Sequence, residues 1–310
     1  MGPIFVGGAS RSGKTLMRWM LSSHPDIVVT RRTEMWSRFS GRFGDLDKPG
    51  NLERCLGAMM ARSQIAALEP DLERVRRDFA EGERTYGRLF ALVNEQYAER
   101  CGKPRWGDQS PSNERFADAI MSAYTTARFI HLIRDPRDCY AAILLEKAKR
   151  RPGAAGAWAS SWTTSAALAR DNVERYPDAY RVVRYETLVA EPEQTMRDVC
   201  DLLGEPFDPA MLRMEEVERY RELRESTGSP ISTAFVGQYA RVLSPTDLVH
   251  IQAVADEQMR SFGYAPEAVR LSAGERIRLA AAWPALRTRR RVQPSGHGRP
   301  APAADAGGGR

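Results

Sequence analysis

Short apolar runs alternate with longer amphipathic ones along the chain. Ile4-Phe5-Val6 is cut off by Gly7-Gly8, and a stretch of strong helix formers carrying Leu16, Met17, Trp19, Met20 and Leu21 follows, ending before His24-Pro25. This pattern predicts a strand, a glycine loop and a helix. Ile27 to Val29 is brief and β-branched, as a second buried strand would be. Between Asp45 and Arg100 the period turns helical through Leu52, Leu56, Met59 and Met60, then Leu68, Leu72 and Val75, then Leu89, Phe90 and Val93, which predicts a helical insertion over about 45–104.

Beyond the insertion the first arrangement recurs. Arg128–Ile133 reads as a strand leading through Arg134-Asp135-Pro136 into the apolar helical run Tyr140 to Leu145, and Tyr180–Tyr185 reads as another, followed by a helix from about Pro192 to Leu203. Leu243 to Phe262 closes the body as a helix, and Trp158 and Trp162, one helical turn apart, are expected in the core. Strands alternating with helices predict an α/β protein with a P-loop-like three-layer fold, a mainly parallel sheet carrying helices on both faces.

Charge refines this picture. The net charge of +6 resides almost wholly in Arg287–Arg310, where six arginines face one acid; the remaining residues carry 40 basic and 39 acidic groups. One domain over 1–286 and a disordered basic tail over 287–310 are therefore expected, and a nearly neutral body offers no basic face for nucleic acid. No run reaches the roughly 18 uncharged residues of a membrane span. Cys55, Cys101, Cys139 and Cys200 are scattered, with neither CxxC nor histidine at metal-ligand spacing, so no metal site is expected. With no signal-peptide pattern at the N-terminus, a cytoplasmic protein is expected.

The candidate chemistry begins at Gly8-Ala9-Ser10-Arg11-Ser12-Gly13-Lys14-Thr15, which matches G-x-x-x-x-G-K-[ST] between a strand and a helix. Such a loop aims backbone N–H groups, a helix N-terminus and a lysine at one spot, which suits a phosphate or sulfate group. A nucleoside triphosphatase also needs an acid ending a second strand to hold magnesium. Here that strand ends Leu132-Ile133-Arg134-Asp135, and Arg134 and Arg137 favour a second anion instead. Two anion-binding loops suit a nucleotide with phosphates at both ends of its ribose.

The segment Pro3 to Arg18, with His24-Pro25-Asp26 after it, resembles the 5′-phosphosulfate loop of sulfotransferases that use 3′-phosphoadenosine-5′-phosphosulfate (PAPS), in particular the bacterial branch related to tyrosylprotein sulfotransferases. Arg128 to Asp138 resembles the 3′-phosphate motif of that family. Trp106-Gly107-Asp108-Gln109-Ser110-Pro111 and Arg184 to Val189 with Pro192-Glu193 are similar to its further signatures, in the same order. The resemblance implies transfer of a sulfuryl group from PAPS to a hydroxyl acceptor. It further implies Arg11, Ser12, Gly13, Lys14, Thr15 and Leu16 at the 5′ end and Arg134 and Arg137 at the 3′-phosphate.

Four departures shape the expected mechanism. Lys14 stands where family members usually carry Thr, and Gln109 where they carry Lys, so Lys14 is expected to neutralise the leaving phosphate alongside Arg11. Ala142 replaces a serine contact to the 3′-phosphate. Arg31-Arg32 replaces the Glu-Glu pair that supplies the base in tyrosylprotein sulfotransferases, and a guanidinium cannot accept a proton at neutral pH. Glu34 is the nearest carboxylate; if the chain stays extended after Val29, it points to the same side as residue 32. Asp108, read as a loop residue near the sulfate, is the reserve. A P-loop kinase using ATP and magnesium and a non-catalytic nucleotide or anion-binding protein are the alternative readings.

Overall fold

The computed structural model describes residues 2–146, 154–214 and 231–277. The chain divides into two compact units, Met1–Val269 and Arg270–Arg310, and the whole sheet belongs to the first. The basic tail expected from Arg287 lies outside the described residues.

Five strands, β1 (Ile4–Gly8), β2 (Ile27–Arg31), β3 (Arg105–Gln109), β4 (Arg128–Ile133) and β5 (Tyr180–Arg184), form one sheet in the order β2-β3-β1-β4-β5, every pair parallel. Strand periodicity distributes neighbouring residues between two cores. Phe5, Val28, Phe129 and Tyr180 join one cluster, with Phe90 of the helix Tyr86–Arg100. Ile4, Val6, Ile27, Val29, Ile130 and Leu132 join the other, with α1 (Lys14–Ser22) and the helix Pro192–Leu203. The sheet is thus the middle of three layers, as the alternation of strands and helices predicts.

The helical insertion ends where β3 begins. Its helices Pro49–Met60, Leu72–Glu81 and Tyr86–Arg100 extend the first core through Leu56, Phe79 and Leu89 instead of forming a separate body. The helix Pro245–Ser261 is closed at its start by a capping box between Ser244 and Asp247.

Apolar periodicity does not mark β3 as a strand, because Arg105, Gly107, Asp108 and Gln109 lack the signature of a central strand. Tertiary partners override that deficit. Gly107 lies where a Cβ would come within 2.7 Å of the Ile4 carbonyl. Arg105, 4% exposed, donates to the carbonyls of Gly2 and Leu203 at 2.8 and 2.7 Å and to Glu205 Oε1 at 2.9 Å.

Removing one member of that pair leaves the other buried without a counter-charge. Arg105→Ala should therefore cost about 3–5 kcal/mol in urea unfolding. A loss below about 1 kcal/mol, the range of exposed pairs, would refute the assignment of Arg105 as the bolt of β3.

Candidate donor and acceptor site

All five strands end on the same side, and order reverses about β1, which has β3 on one flank and β4 on the other. Ligands of such sheets bind outside the carboxyl ends at this crevice. Gly8, at φ +124°, turns the chain out of β1, and Arg11 (φ +67°) and Gly13 (φ +101°) complete a loop that ends at α1. No side chain caps α1, and the first-turn amides of a helix have no intrahelical acceptor. The loop can therefore present N–H groups and the positive end of α1 to an anion.

Its side chains occupy unequal positions. The Ser12 hydroxyl is buried without a partner among the described residues, an unsatisfied donor that a phosphosulfate oxygen fits. Thr15 is exposed, whereas the Leu16 side chain packs into the core beneath the sheet, leaving only its backbone for a ligand. Arg11 forms an exposed ion pair with Glu146, a kind of contact weak enough to exchange for a donor oxygen. Lys14, 9% exposed, folds back to donate to the carbonyls of Gly8 and, at 2.6 Å, Ala9. Burial lowers its pKa and Arg32 adds to that, while Glu114 and Cys139 oppose it.

The loop after β4 joins the first. Arg134, 5% exposed, donates to the Arg11 carbonyl at 3.3 Å and the Phe235 carbonyl at 2.6 Å, and its guanidinium lies 4.2 Å from the Tyr185 ring centre. Its Nε is buried without a partner among the described residues. Arg137, expected beside it, is engaged otherwise: Asp135 accepts from its Nε and, at 2.7 Å, its Nη2, Gln252 accepts at 3.2 Å, and Tyr239 stacks on it at 4.3 Å. Asp138 takes the amides of Gly237 and Tyr239 at 2.8 and 3.0 Å and so anchors the segment that supplies Phe235.

At the ends of β2 and β3 the expected geometry requires correction. Pairing stops at Arg31 opposite Gln109; the Arg32 amide then donates to the Gln109 carbonyl at 2.7 Å, and Arg32 and Glu34 both adopt positive φ. The segment is therefore not extended. Glu34 starts the helix Met35–Phe39, and its Oε2 receives Arg38 and, at 3.3 Å, Arg62. Asp108 is not a loop residue: it lies in β3, wholly buried. Its carboxylate accepts from Thr30 at 3.1 Å, Thr33 at 2.6 Å, Ser110 at 3.2 Å and Asn113 at 2.9 Å. Burial raises its pKa against those four hydrogen bonds. Asp108 organises the turn that carries Glu34, whose amide donates to Ser110 Oγ at 2.9 Å.

Comparison with known proteins places the chain that carries these two joined loops. The model of the sulfotransferase family matches residues 3–209. The chain belongs to the sulfotransferase family. It is similar to protein-tyrosine sulfotransferase 1 of Danio rerio, 24% identical over 291 residues, covering 86% of this chain and 73% of that protein. Nodulation protein NoeE of Sinorhizobium fredii is 30% identical over 246 residues, covering 72% of this chain and 54% of its own. Among solved structures, the sulfotransferase domain of the Synechococcus PCC 7002 olefin synthase is 21% identical at a TM-score of 0.48, covering 91% of this chain and 94% of that one.

This sulfotransferase also holds a buried polar group that no sequence signal exposed. Glu114, in a helical turn after β3, accepts the Gly8 amide at 3.1 Å on Oε2 and the Ser165 hydroxyl at 2.8 Å on Oε1. His131 bridges Ser165 and Tyr180, at 3.2 and 2.6 Å. Burial first, and then Lys14, pull its pKa down to about 4, with Glu114 opposing. His131 is structural, as is His24, which meets the Pro206 carbonyl at 2.9 Å. Cys139 and Trp162 are buried in the core.

The sulfotransferase loop tolerates no side chain at residue 13. A Cβ there would meet the Tyr185 ring at 2.5 Å, besides the positive φ, and a strained residue of this kind costs about 1–3 kcal/mol. Gly13→Ala should weaken binding of adenosine 3′,5′-bisphosphate by about tenfold or more. Gly41→Ala, also at positive φ (+71°) but with open space around it, should leave affinity unchanged. Equal affinities in calorimetry would refute the close-packed cradle.

Proposed function

We propose that this sulfotransferase transfers the sulfuryl group of PAPS to a hydroxyl-bearing acceptor by in-line displacement. The single observation that supports it is the join between the two loops: Arg134 holds the Arg11 carbonyl, and both Arg134 Nε and Ser12 Oγ lie buried without partners among the described residues. A nucleotide with an anion at each end of its ribose satisfies both. The kinase alternative needs Asp135 for magnesium, and Arg137 already occupies that carboxylate.

In this reading Arg11, Ser12 and the amides of Gly13, Lys14, Thr15 and Leu16 hold the phosphosulfate, and Arg134 the 3′-phosphate, with Arg137 supporting the second loop through Asp135. Lys14 stays charged and offsets the charge that develops on the leaving 5′-phosphate. Such preorganised charges supply most of the acceleration in group transfers of this kind. With the phosphosulfate held at the loop after β1 and the 3′-phosphate at the loop after β4, the acceptor would approach from the β3 and β2 side. There Glu34 is the base: Arg38 and Arg62 clamp Oε2, leaving Oε1 to take the hydroxyl proton. Asp108 positions that turn and does not meet the acceptor. Cytoplasmic residence is part of the same reading, supported by four free cysteines; among the described residues no helix is long and apolar enough to cross a membrane.

Adenosine 3′,5′-bisphosphate in EDTA at 100 times its dissociation constant should stabilise the fold by about 2.7 kcal/mol. Stabilisation by ATP and magnesium, with none by the bisphosphate, would establish the kinase instead. With PAPS and an acceptor found by screening hydroxyl compounds, Glu34→Gln should cut turnover by about 10² to 10⁴ and keep bisphosphate affinity within a few-fold. Asp108→Asn should lower the melting temperature, as Glu34→Gln should not. Unchanged turnover in Glu34→Gln removes Glu34 as the base.

A further inference from the structure

Gly8 is gripped from both sides by charges of opposite sign. Its amide donates to Glu114 Oε2 at 3.1 Å and its carbonyl accepts the Lys14 ammonium. Both charges belong to buried side chains, Glu114 being 4% and Lys14 9% exposed. The carboxylate is the end of a chain of donors reaching back through the helix Ala154–Arg175 to β5. Asn172 Nδ2 lies 3.4 Å from the Tyr180 oxygen, that hydroxyl 2.6 Å from His131 Nδ1, His131 Nε2 3.2 Å from Ser165 Oγ, and Ser165 Oγ 2.8 Å from Glu114 Oε1.

A proton arrangement with neutral His131 and ionised Glu114 satisfies every link. Asn172 donates to Tyr180, Tyr180 to Nδ1 of a neutral His131, Nε2–H of His131 to Ser165, and Ser165 to an ionised Glu114. Burial draws the His131 pKa down to about 4, so the ring is neutral at pH 7, and the Glu114 pKa is lowered, so this is the arrangement held there. The network thus holds a full negative charge directly behind the phosphosulfate loop. Such head-to-tail chains polarise one another.

We propose that Glu114 is a positioning residue of the donor site, fixing the Gly8 peptide for the loop and keeping the neighbouring lysine in its charged form, with Ser165 setting the carboxylate in place. The groups facing Lys14 are Glu114, Cys139 and Arg32, and those facing Glu114 are Lys14, His131, Ser165 and the Gly8 amide. Of these, Glu114 is the carboxylate that holds a proton on Lys14 against burial and Arg32. Glu114 itself keeps a lowered pKa although burial pushes upward, because His131, which becomes charged only at about pH 4, then Lys14 and the Gly8 amide outweigh it.

The inference rests on the reading of this crevice as the donor site, and binding of adenosine 3′,5′-bisphosphate to the whole chain in EDTA tests the two separately. Calorimetric dissociation constants are taken between pH 7 and 10 for wild type, Glu114→Gln, Ser165→Ala, Lys14→Arg and the double variant of residues 14 and 114. Glu114→Gln, nearly isosteric, should weaken binding by about tenfold, as expected when a charged acceptor of the buried Gly8 amide is lost. It should also move the alkaline loss of affinity to lower pH by at least one unit, because Lys14 then loses its proton earlier. The same exchange on a Lys14→Arg background should move no alkaline limb, since guanidinium does not titrate in this range. Ser165→Ala, which keeps both charges, should weaken binding a few-fold with the limb in place, and it carries the test if Glu114→Gln does not fold. Wild-type affinity and an unmoved limb in Glu114→Gln, or wild-type affinity in Ser165→Ala where the first variant is unfolded, overturns the proposal. No bisphosphate binding by wild type overturns the donor reading itself.

Discussion

A buried guanidinium without a carboxylate partner among the described residues is the constraint around which the site is built. Arg134 is almost wholly enclosed, yet its neighbours are two carbonyls and an aromatic face. Taking a cation out of water costs several kcal/mol unless an opposite charge offsets it, and dipoles with a ring quadrupole offset it only in part. The cost is tolerable because the residue is held from every side. Trp162 donates to its carbonyl at 2.9 Å, Glu186 accepts the Asp135 amide at 2.9 Å, and Tyr264 donates to Glu186 at 2.8 Å. The packing that holds Arg134 also aims its remaining donors, so a phosphate bound there would meet a cation that need not reorganise.

The first loop solves the same problem in the opposite way. Its cation, Lys14, is compensated within the protein by Glu114 and by the carbonyls of Gly8 and Ala9. Among the described residues the two loops therefore present one cation without a carboxylate partner and one compensated from within the protein. A nucleotide carrying a permanent anion at one end and a group whose charge grows during reaction at the other matches that division: Arg134 suits the permanent charge, whereas Lys14 and Arg11 are tethered by contacts that can be exchanged as charge develops.

Much of the frame was legible in the chain. Four strands, the glycine loop, the helical insertion and the helix Pro192–Leu203 followed from apolar periodicity and punctuation, because in these elements burial and local pattern agree. β3 was hidden since its polar residues are satisfied by partners remote in sequence, Arg105 by Glu205 and Asp108 by Thr30 and Thr33. The same remoteness concealed Glu114, whose bonds reach Gly8 and Ser165, more than a hundred and about fifty residues away. Glu34 is a candidate by position alone, and its conformation is hidden in the sequence: alternation says nothing of a chain that leaves its strand through two residues of positive φ.

The departures from the family pattern acquire a common electrostatic reason. Gln109 ends β3 beside Arg31, and its carbonyl takes the Arg32 amide at 2.7 Å. Arg32 in turn repels Lys14, and Arg31 repels Arg18, which burial first and then that repulsion bring to about 10. A lysine at position 109 would add another cation to an edge already carrying Arg31 and Arg32, whereas a glutamine supplies donors without charge. Once the loop contains Lys14 and the β2 edge contains two arginines, neutrality at 109 and a carboxylate at 114 are what keep the crevice from opposing its own assembly.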